Sequence, residues 1–215
     1  MQTNKIKVQK TGRYFVLGEA GPHIKQVWFI CHGYGQLGNY FLRNFDVVDD
    51  GTCLFVSCEG LHRFYVNGFS GRVGASWMTK EDRTDDIEDY IFYLDSVYRE
   101  VMAGVKQPVK ITAFGFSQGT ATVCRWAGKN SFPIDRLVLW AGAFPSDVDL
   151  KLNAPRFNAM HNVLVLGNED EFIKETDIAS LTDHFDKAGI NYKLIRFGGK
   201  HELQGDTLRL LLKGE

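Results

Sequence analysis

Short apolar runs of strand length alternate along this chain with longer stretches whose apolar residues recur at helical spacing. That alternation narrows the fold to a sheet packed by helices on both faces. The strand-like runs are Val27 to Cys31, Leu54 to Ser57, Val109 to Phe114, Leu137 to Trp140, Asn162 to Leu166 and Tyr192 to Phe197. Between Thr84 and Val105, Ile87, Tyr90, Ile91, Leu94, Tyr98, Val101 and Val105 fall on one stripe of a helix with acids in its first turn. Further helices are expected from just after Ser117 to about Ala127, from Asp177 to Ala188 with Gly189 closing it, and from Gly205 to Leu212. Strands separated by helices make the sheet mostly parallel. Its beginning is expected to be antiparallel, because Ile6 to Leu17 reads as a hairpin turning at Thr11-Gly12. From Glu59 to Lys80 the chain is rich in glycine and aromatic residues without a steady period, as suits a surface excursion beside the sheet. No linker or repeat divides the sequence, so 1–215 is expected to be a single domain.

Bulk properties exclude several kinds of partner. The 215 residues are 44% apolar and 13% aromatic, enough for one substantial core. With 25 basic and 26 acidic side chains the formal charge is -1, which predicts no binding to nucleic acid. No run approaches the length of a membrane span and the N-terminus has no signal-like apolar segment, so a cytoplasmic protein is expected. The four cysteines sit in strand-like and helical stretches without paired spacing, which predicts reduced thiols and no metal site.

The segment Gly115-Phe116-Ser117-Gln118-Gly119 lies between a buried strand and a helix, where a Gly-x-Ser-x-Gly elbow holds a serine hydroxyl clear of the sheet. The sharp turn requires small residues two before and two after the serine, and glycine supplies both. The alternative is a glycine-rich turn in which Ser117 caps the helix. A serine nucleophile also needs a base and an acid, in the chain order Ser, Asp, His on this kind of sheet. Beyond Ser117, His161 precedes the last strand and helix units, and His184 sits inside an amphipathic helix. His201 follows a strand and the loop Gly198-Gly199-Lys200, so it is the expected base. Asp170, just past the strand ending at Leu166, is the preferred acid. Glu169 and Glu171 flank it, and Asp147 or Asp149 is a possible substitute. The oxyanion donors are expected to be the backbone N–H of Gln118 and that of Tyr34 within His32-Gly33-Tyr34-Gly35. Phe69 and Trp77 from the excursion are candidate walls of a substrate pocket, and equally candidates for the core.

Together with Gly167-Asn168-Glu169-Asp170 and Gly198-Gly199-Lys200-His201, these motifs resemble the phospholipase/carboxylesterase family of α/β-hydrolases, which includes acyl-protein thioesterases. The resemblance implies an α/β-hydrolase fold with little or no lid domain, a triad of Ser117, Asp170 and His201, and an oxyanion hole of Tyr34 and Gln118. It also implies hydrolysis of small esters or acyl thioesters through an acyl-enzyme, without a cofactor. Gln36 and Thr120 stand where the family commonly has an acid and a glycine, and Trp77 is followed by Met78 and Thr79 in place of an aromatic and an acid. These departures bear on the pocket rather than on the chemistry. A serine peptidase and a ligand-binding hydrolase homologue without turnover are the alternatives on the same fold.

Overall fold

The computed structural model describes residues 2–130 and 132–214. Seven strands form one sheet in the order β1-β3-β2-β6-β7-β8-β9, comprising Tyr14–Leu17 (β1), Gln26–Cys31 (β2), Cys53–Cys58 (β3), Lys110–Phe116 (β6), Arg136–Trp140 (β7), His161–Gly167 (β8) and Tyr192–Phe197 (β9). All neighbours run parallel except β1, which is antiparallel to β3. His62–Tyr65 (β4) and Val73–Ser76 (β5) make a separate antiparallel hairpin, the form taken by the aromatic excursion. The helices are Gly38–Leu42 (α1), Arg83–Ala103 (α2), Gln118–Lys129 (α3), Leu150–Asn158 (α4), Glu175–Lys187 (α5) and Gly205–Lys213 (α6), with a 3-10 helix over Arg43–Val48.

The central strands β2, β3, β6, β7 and β8 are buried on both faces, because apolar residues fill nearly all of their positions, whereas the edge strands β1 and β9 are only partly buried. Along β2, Val27, Phe29 and Cys31 face one hydrophobic cluster, which α2 to α5 cover. Trp28 and Ile30 face the other, beneath α1, the 3-10 helix and α6. Phe45 anchors the second cluster, with ring centroids 5.3 Å from Phe55, 5.4 Å from Phe114 and 6.1 Å from Phe41. Phe45 is fully buried, so Phe45→Ala is expected to cost about 3–5 kcal/mol in urea unfolding, and a loss below about 1 kcal/mol contradicts this packing.

The chain begins antiparallel, but with a different partner from the one expected. Tyr14–Leu17 pairs with β3, whereas residues 6–13 form no strand. Ile6 and Val8 are largely exposed, and the segment is held by Lys5 on Asp82 and Asp85 of the α2 entry. Gly12 does not serve a turn; a Cβ there would stand 2.6 Å from the Tyr93 ring, whose hydroxyl donates to the Arg13 carbonyl. Helix α4 is absent from the sequence reading, since Pro155 inside it removes a helical donor; Asp149 caps it by accepting from Leu152 N at 3.0 Å. The four cysteines lie unbridged in the core, and no described helix is long and apolar enough to cross a membrane.

The topology sets the position of the site. From β2 the chain first goes to β3 on one side, which β1 already flanks, then returns to β6 on β2's other side, so a crevice opens at the carboxyl ends of β2 and β6. The loops after β2, β6, β7, β8 and β9 all emerge at that end.

Candidate active site

Strand β6 ends at Phe116, α3 starts at Gln118, and Ser117 alone makes the turn with φ 54° and ψ −116°. This is a costly conformation for a residue with a Cβ, about 1–3 kcal/mol. The surroundings impose it. Ser117 N donates to Trp140 O at 2.9 Å, and the Thr120 hydroxyl bridges Gly115 O at 3.2 Å and Trp140 O at 3.3 Å. Thr120 therefore ties the elbow to β7 at a position where glycine was the family expectation. A Cβ on Gly119 would collide with the carbonyls of Cys31 and His32, and one on Gly115 with Gly119, so both glycines are required by close backbone approach.

His201 and Asp170 are joined. His201 Nδ1 lies 2.8 Å from Asp170 Oδ2, and Asp170 Oδ1 accepts from the amides of Phe172 at 2.9 Å and Ile173 at 3.1 Å. With a carboxylate on Nδ1, that nitrogen carries the proton and Nε2 is left as the acceptor. Only 1% of the Asp170 side chain is exposed, whereas Glu169 and Glu171 point to solvent. The two loops are laced together by Asn168 N on Phe197 O and Glu169 N on Gly199 O, both at 2.9 Å. The His201 ring packs between Phe116 and Phe172, each 4.9 Å away, and Trp140 Nε1 donates to Glu202 O at 2.9 Å beside it. The competing acids are committed elsewhere. Asp147 is gripped by Arg125 at 2.7 and 2.8 Å and by Arg83 at 2.8 Å, which holds its carboxyl below the ordinary range, and Asp149 caps α4. His184 lies along α5 with Nδ1 against Ser180 O, and His161 is exposed at the start of β8. Ser117 and His201 line one cleft of about 510 Å³ together with Tyr34 and Gln118, although no hydrogen bond links the serine hydroxyl to the imidazole.

Backbone accounting singles out Tyr34 in the loop after β2. Gly33 N donates to Gln36 Oε1 at 2.8 Å, Gly35 N to Ala75 O at 2.9 Å and Gln36 N to Gly33 O at 3.3 Å. Of the amides from 33 to 36, that of Tyr34 alone has no partner among the described residues, and Tyr34 is one of the residues lining the cleft. Gln36 thus secures the loop in place of the expected acid. A second brace comes from β3 and the residues after it. The fully buried Glu59 accepts from Gly38 N at 3.0 Å while pairing with Arg13 at 2.5 Å and Arg63 at 3.4 Å, and the Ser57 hydroxyl donates to Gly38 O at 2.9 Å. Gln118, at the positive end of α3, lines the same cleft, and its side chain accepts from Trp77 N at 3.2 Å and donates to Met78 O at 3.0 Å.

His32 shapes this loop from below. Its Nδ1 donates to Gly33 O at 2.7 Å and its Nε2 accepts from Gly60 N at 3.0 Å, which fixes the neutral ring, and burial pushes its pKa down. A lowered folded-state pKa means that the unfolded chain takes up this proton first. His32 therefore contributes its full stability above about pH 6.5 and loses it as pH falls below that value. Ring nitrogen NMR shifts are expected to show neutral, Nδ1-protonated His32 at pH 6.5; half-protonation there contradicts the geometry.

Of Phe69 and Trp77, each a candidate for either a pocket wall or the core, neither lines the Ser117 cleft, and Trp77 takes the core position. Phe69 is 98% exposed at the tip of the β4–β5 hairpin, and Trp77 is fully buried, 5.2 Å from the His32 ring with its indole N–H on His32 O at 2.9 Å. An indole donor inside a core must find an acceptor, and that need draws Trp77 under the loop. The walls are instead Phe172, Ile173 and the small residues Ala121 and Ala141 to Ala143. Their signal in the sequence was the apolar pair Phe172-Ile173, one residue beyond Asp170 past Glu171, in an otherwise charged loop.

The family model described as phospholipase/carboxylesterase matches residues 13–213. Among solved structures the chain is similar to esterase PE8 (TM-score 0.72, 21% identity, covering 96% of this chain and 99% of that one). It is similar to Zea mays acyl-protein thioesterase 2 (0.72, 19%, 95% and 99%) and to a carboxylesterase from Mesorhizobium loti (0.72, 16%, 98% and 99%). No curated protein matches it in sequence. At these identities the structural likeness speaks for the fold, and the family match, spanning nearly the whole chain, speaks for descent. The chain belongs to the phospholipase/carboxylesterase family of α/β-hydrolases.

Proposed function

We propose that the chain is a serine hydrolase of carboxylic esters or acyl thioesters, working through an acyl-enzyme on Ser117. The observation that carries this reading is the 2.8 Å pair of His201 Nδ1 and Asp170 Oδ2 on the cleft that also holds Ser117 at a positive-φ turn. His201 Nε2 accepts the Ser117 proton as Oγ attacks the carbonyl carbon, and Asp170 offsets the charge gained by the ring. The oxyanion forms toward the amides of Tyr34 and Gln118, which a rigid loop and a helix N-terminus present without reorganisation. Collapse breaks the bond to the alcohol or thiol, which leaves with the proton from His201. Water, deprotonated by His201, then attacks the acyl-enzyme, and the acid departs as Ser117 regains its proton. The Ser117–His201 contact is expected to tighten when a carbonyl occupies the cleft, as such contacts often do.

Absence of that contact is the observation favouring a ligand-binding homologue without turnover. Hydrolysis of p-nitrophenyl butyrate and of a butyryl thioester separates the two, since the binding-only reading predicts no turnover of either. Because Glu59 braces the oxyanion loop from outside the cleft, Glu59→Ala is expected to lower kcat by about 10- to 100-fold while KM changes less than about threefold. A change confined to KM contradicts that positioning role.

A further inference from the structure

We propose that the depression at the amino-terminal ends of β6 to β9 is a binding site for a small polyphosphate anion, at the opposite end of the sheet from Ser117. The depression has a volume of about 530 Å³, and Lys110, Arg136, His161, Lys193 and Lys213 are among its lining residues, with Asp135 the one carboxylate. Strand register explains why five basic side chains meet there. Thr112, Arg136 and His161 are partners along one row of β6, β7 and β8. Lys110 lies two residues before Thr112, and Lys193 of β9 pairs with Val163, two residues past His161. Side chains two apart on a strand share a face, so each of the four strands projects a basic residue on the face of Phe114, Val138 and Val163, where α6 packs. Helix α6 ends at the same place and adds Lys213 from its last turn.

The chain itself leaves these charges unanswered. Among the described residues none of the five forms an ion pair, and Asp135 already accepts from Ile111 N at 2.7 Å through Oδ2. Arg136 is partly buried against the end of α6, where its Nη1 donates to Leu211 O. Desolvation pulls its pKa below the ordinary value, and an anion beside the guanidinium offsets that cost. The width of the cluster selects the ligand. Neighbouring strands about 4.8 Å apart spread the cations over about 14 Å, so a single phosphate cannot meet them all, whereas a chain of phosphates can. A depression of this size suits a small molecule, and the formal charge of -1 gives the chain no wider basic field for a polymer backbone. The catalytic cleft stays free when the site is filled. It shares no lining residue with this depression, and the seven residues of β6, about 23 Å of strand, separate Lys110 from Ser117.

Calorimetric titration of the full chain at low salt with inorganic tripolyphosphate, ATP and orthophosphate tests this. Tripolyphosphate is expected to bind one to one, about tenfold or more tighter than orthophosphate, and to weaken steeply as salt is added. Equal affinity for ATP assigns the site to the phosphate chain alone; tighter binding of ATP, lost in the same variants, assigns it to a nucleotide. Lys110 and Lys193 are exposed, so Lys110→Glu with Lys193→Glu should leave the fold intact and weaken binding by about tenfold or more. Lys80→Glu with Lys151→Glu makes the same change of charge outside the depression and should alter binding by less than about threefold. In the wild type, the ring resonances of His161 should shift on titration with tripolyphosphate while those of His62 and His184 stay in place, a readout that needs no variant. The site assignment is overturned if tripolyphosphate and ATP both fail to bind, if several bind per chain, or if the Lys110 and Lys193 changes and the His161 ring register nothing. Binding of an RNA oligonucleotide or of anionic lipid vesicles through these lysines, with no affinity for tripolyphosphate or ATP, also contradicts it.

Discussion

Ser117→Ala is expected to lower kcat for p-nitrophenyl butyrate by about 10⁶-fold, to the level left by the oxyanion donors and binding alone. The reason is chemical rather than structural. Alanine keeps the Cβ that already occupies the strained φ 54° turn, and no hydrogen bond of the Ser117 hydroxyl holds the elbow: the backbone bond to Trp140 O and the Thr120 bridges remain. The variant should therefore fold with an unchanged thermal midpoint and lose turnover. Loss of less than about tenfold means that another group or a bound water attacks the ester, and Ser117 then only joins β6 to α3.

Asp170→Asn is expected to cost about 10⁴-fold in kcat, about 5 kcal/mol of transition-state stabilisation, with KM little changed. The amide can still accept from the Phe172 and Ile173 amides through its oxygen, so the loop keeps its shape. Its NH₂ group then faces His201 Nδ1, which must become an acceptor; the proton moves to Nε2, and the base has nothing with which to accept the Ser117 proton. Glu169→Gln and Glu171→Gln, on exposed side chains beside it, should stay within about threefold of wild type. If Glu169→Gln or Glu171→Gln instead abolishes activity while Asp170→Asn does not, the acid has been misassigned.

The parts legible in the sequence are those in which one residue's neighbours in the chain decide its environment. The apolar runs of β2, β6, β7 and β8, which follow a polar first residue, announce strands buried on both faces, and the glycines two residues either side of Ser117 announce the elbow, because backbone collision leaves no other choice. Asp170 and His201 were readable as strand-end loop residues in the right order, although nothing local distinguished Asp170 from Glu169 and Glu171. That distinction comes from burial and from the two amides that fix Oδ1, which depend on the fold of the loop. The N-terminal hairpin was misread because Tyr14–Leu17 takes β3 as its partner, a non-local choice. Phe69 and Trp77 show the same limit. Both are large aromatics in one glycine-rich segment, yet one ends at the tip of a hairpin and the other under His32, according to which could satisfy a buried donor. Glu59 and Gln36 gave no sign of bracing the loop after β2, since their partners Gly38, Arg13 and Gly33 are set by the way β3 and that loop come together.

The most direct measurement is the intact mass of the protein after exposure to a small fluorophosphonate, followed by peptide mapping of the adduct. Nucleophilic Ser117, activated by His201 and Asp170, predicts one stoichiometric phosphonyl adduct on the peptide containing Gly115-Phe116-Ser117-Gln118-Gly119, lost in Ser117→Ala and strongly slowed in Asp170→Asn. A wild-type protein that remains unmodified, or that carries its adduct on another residue, contradicts it.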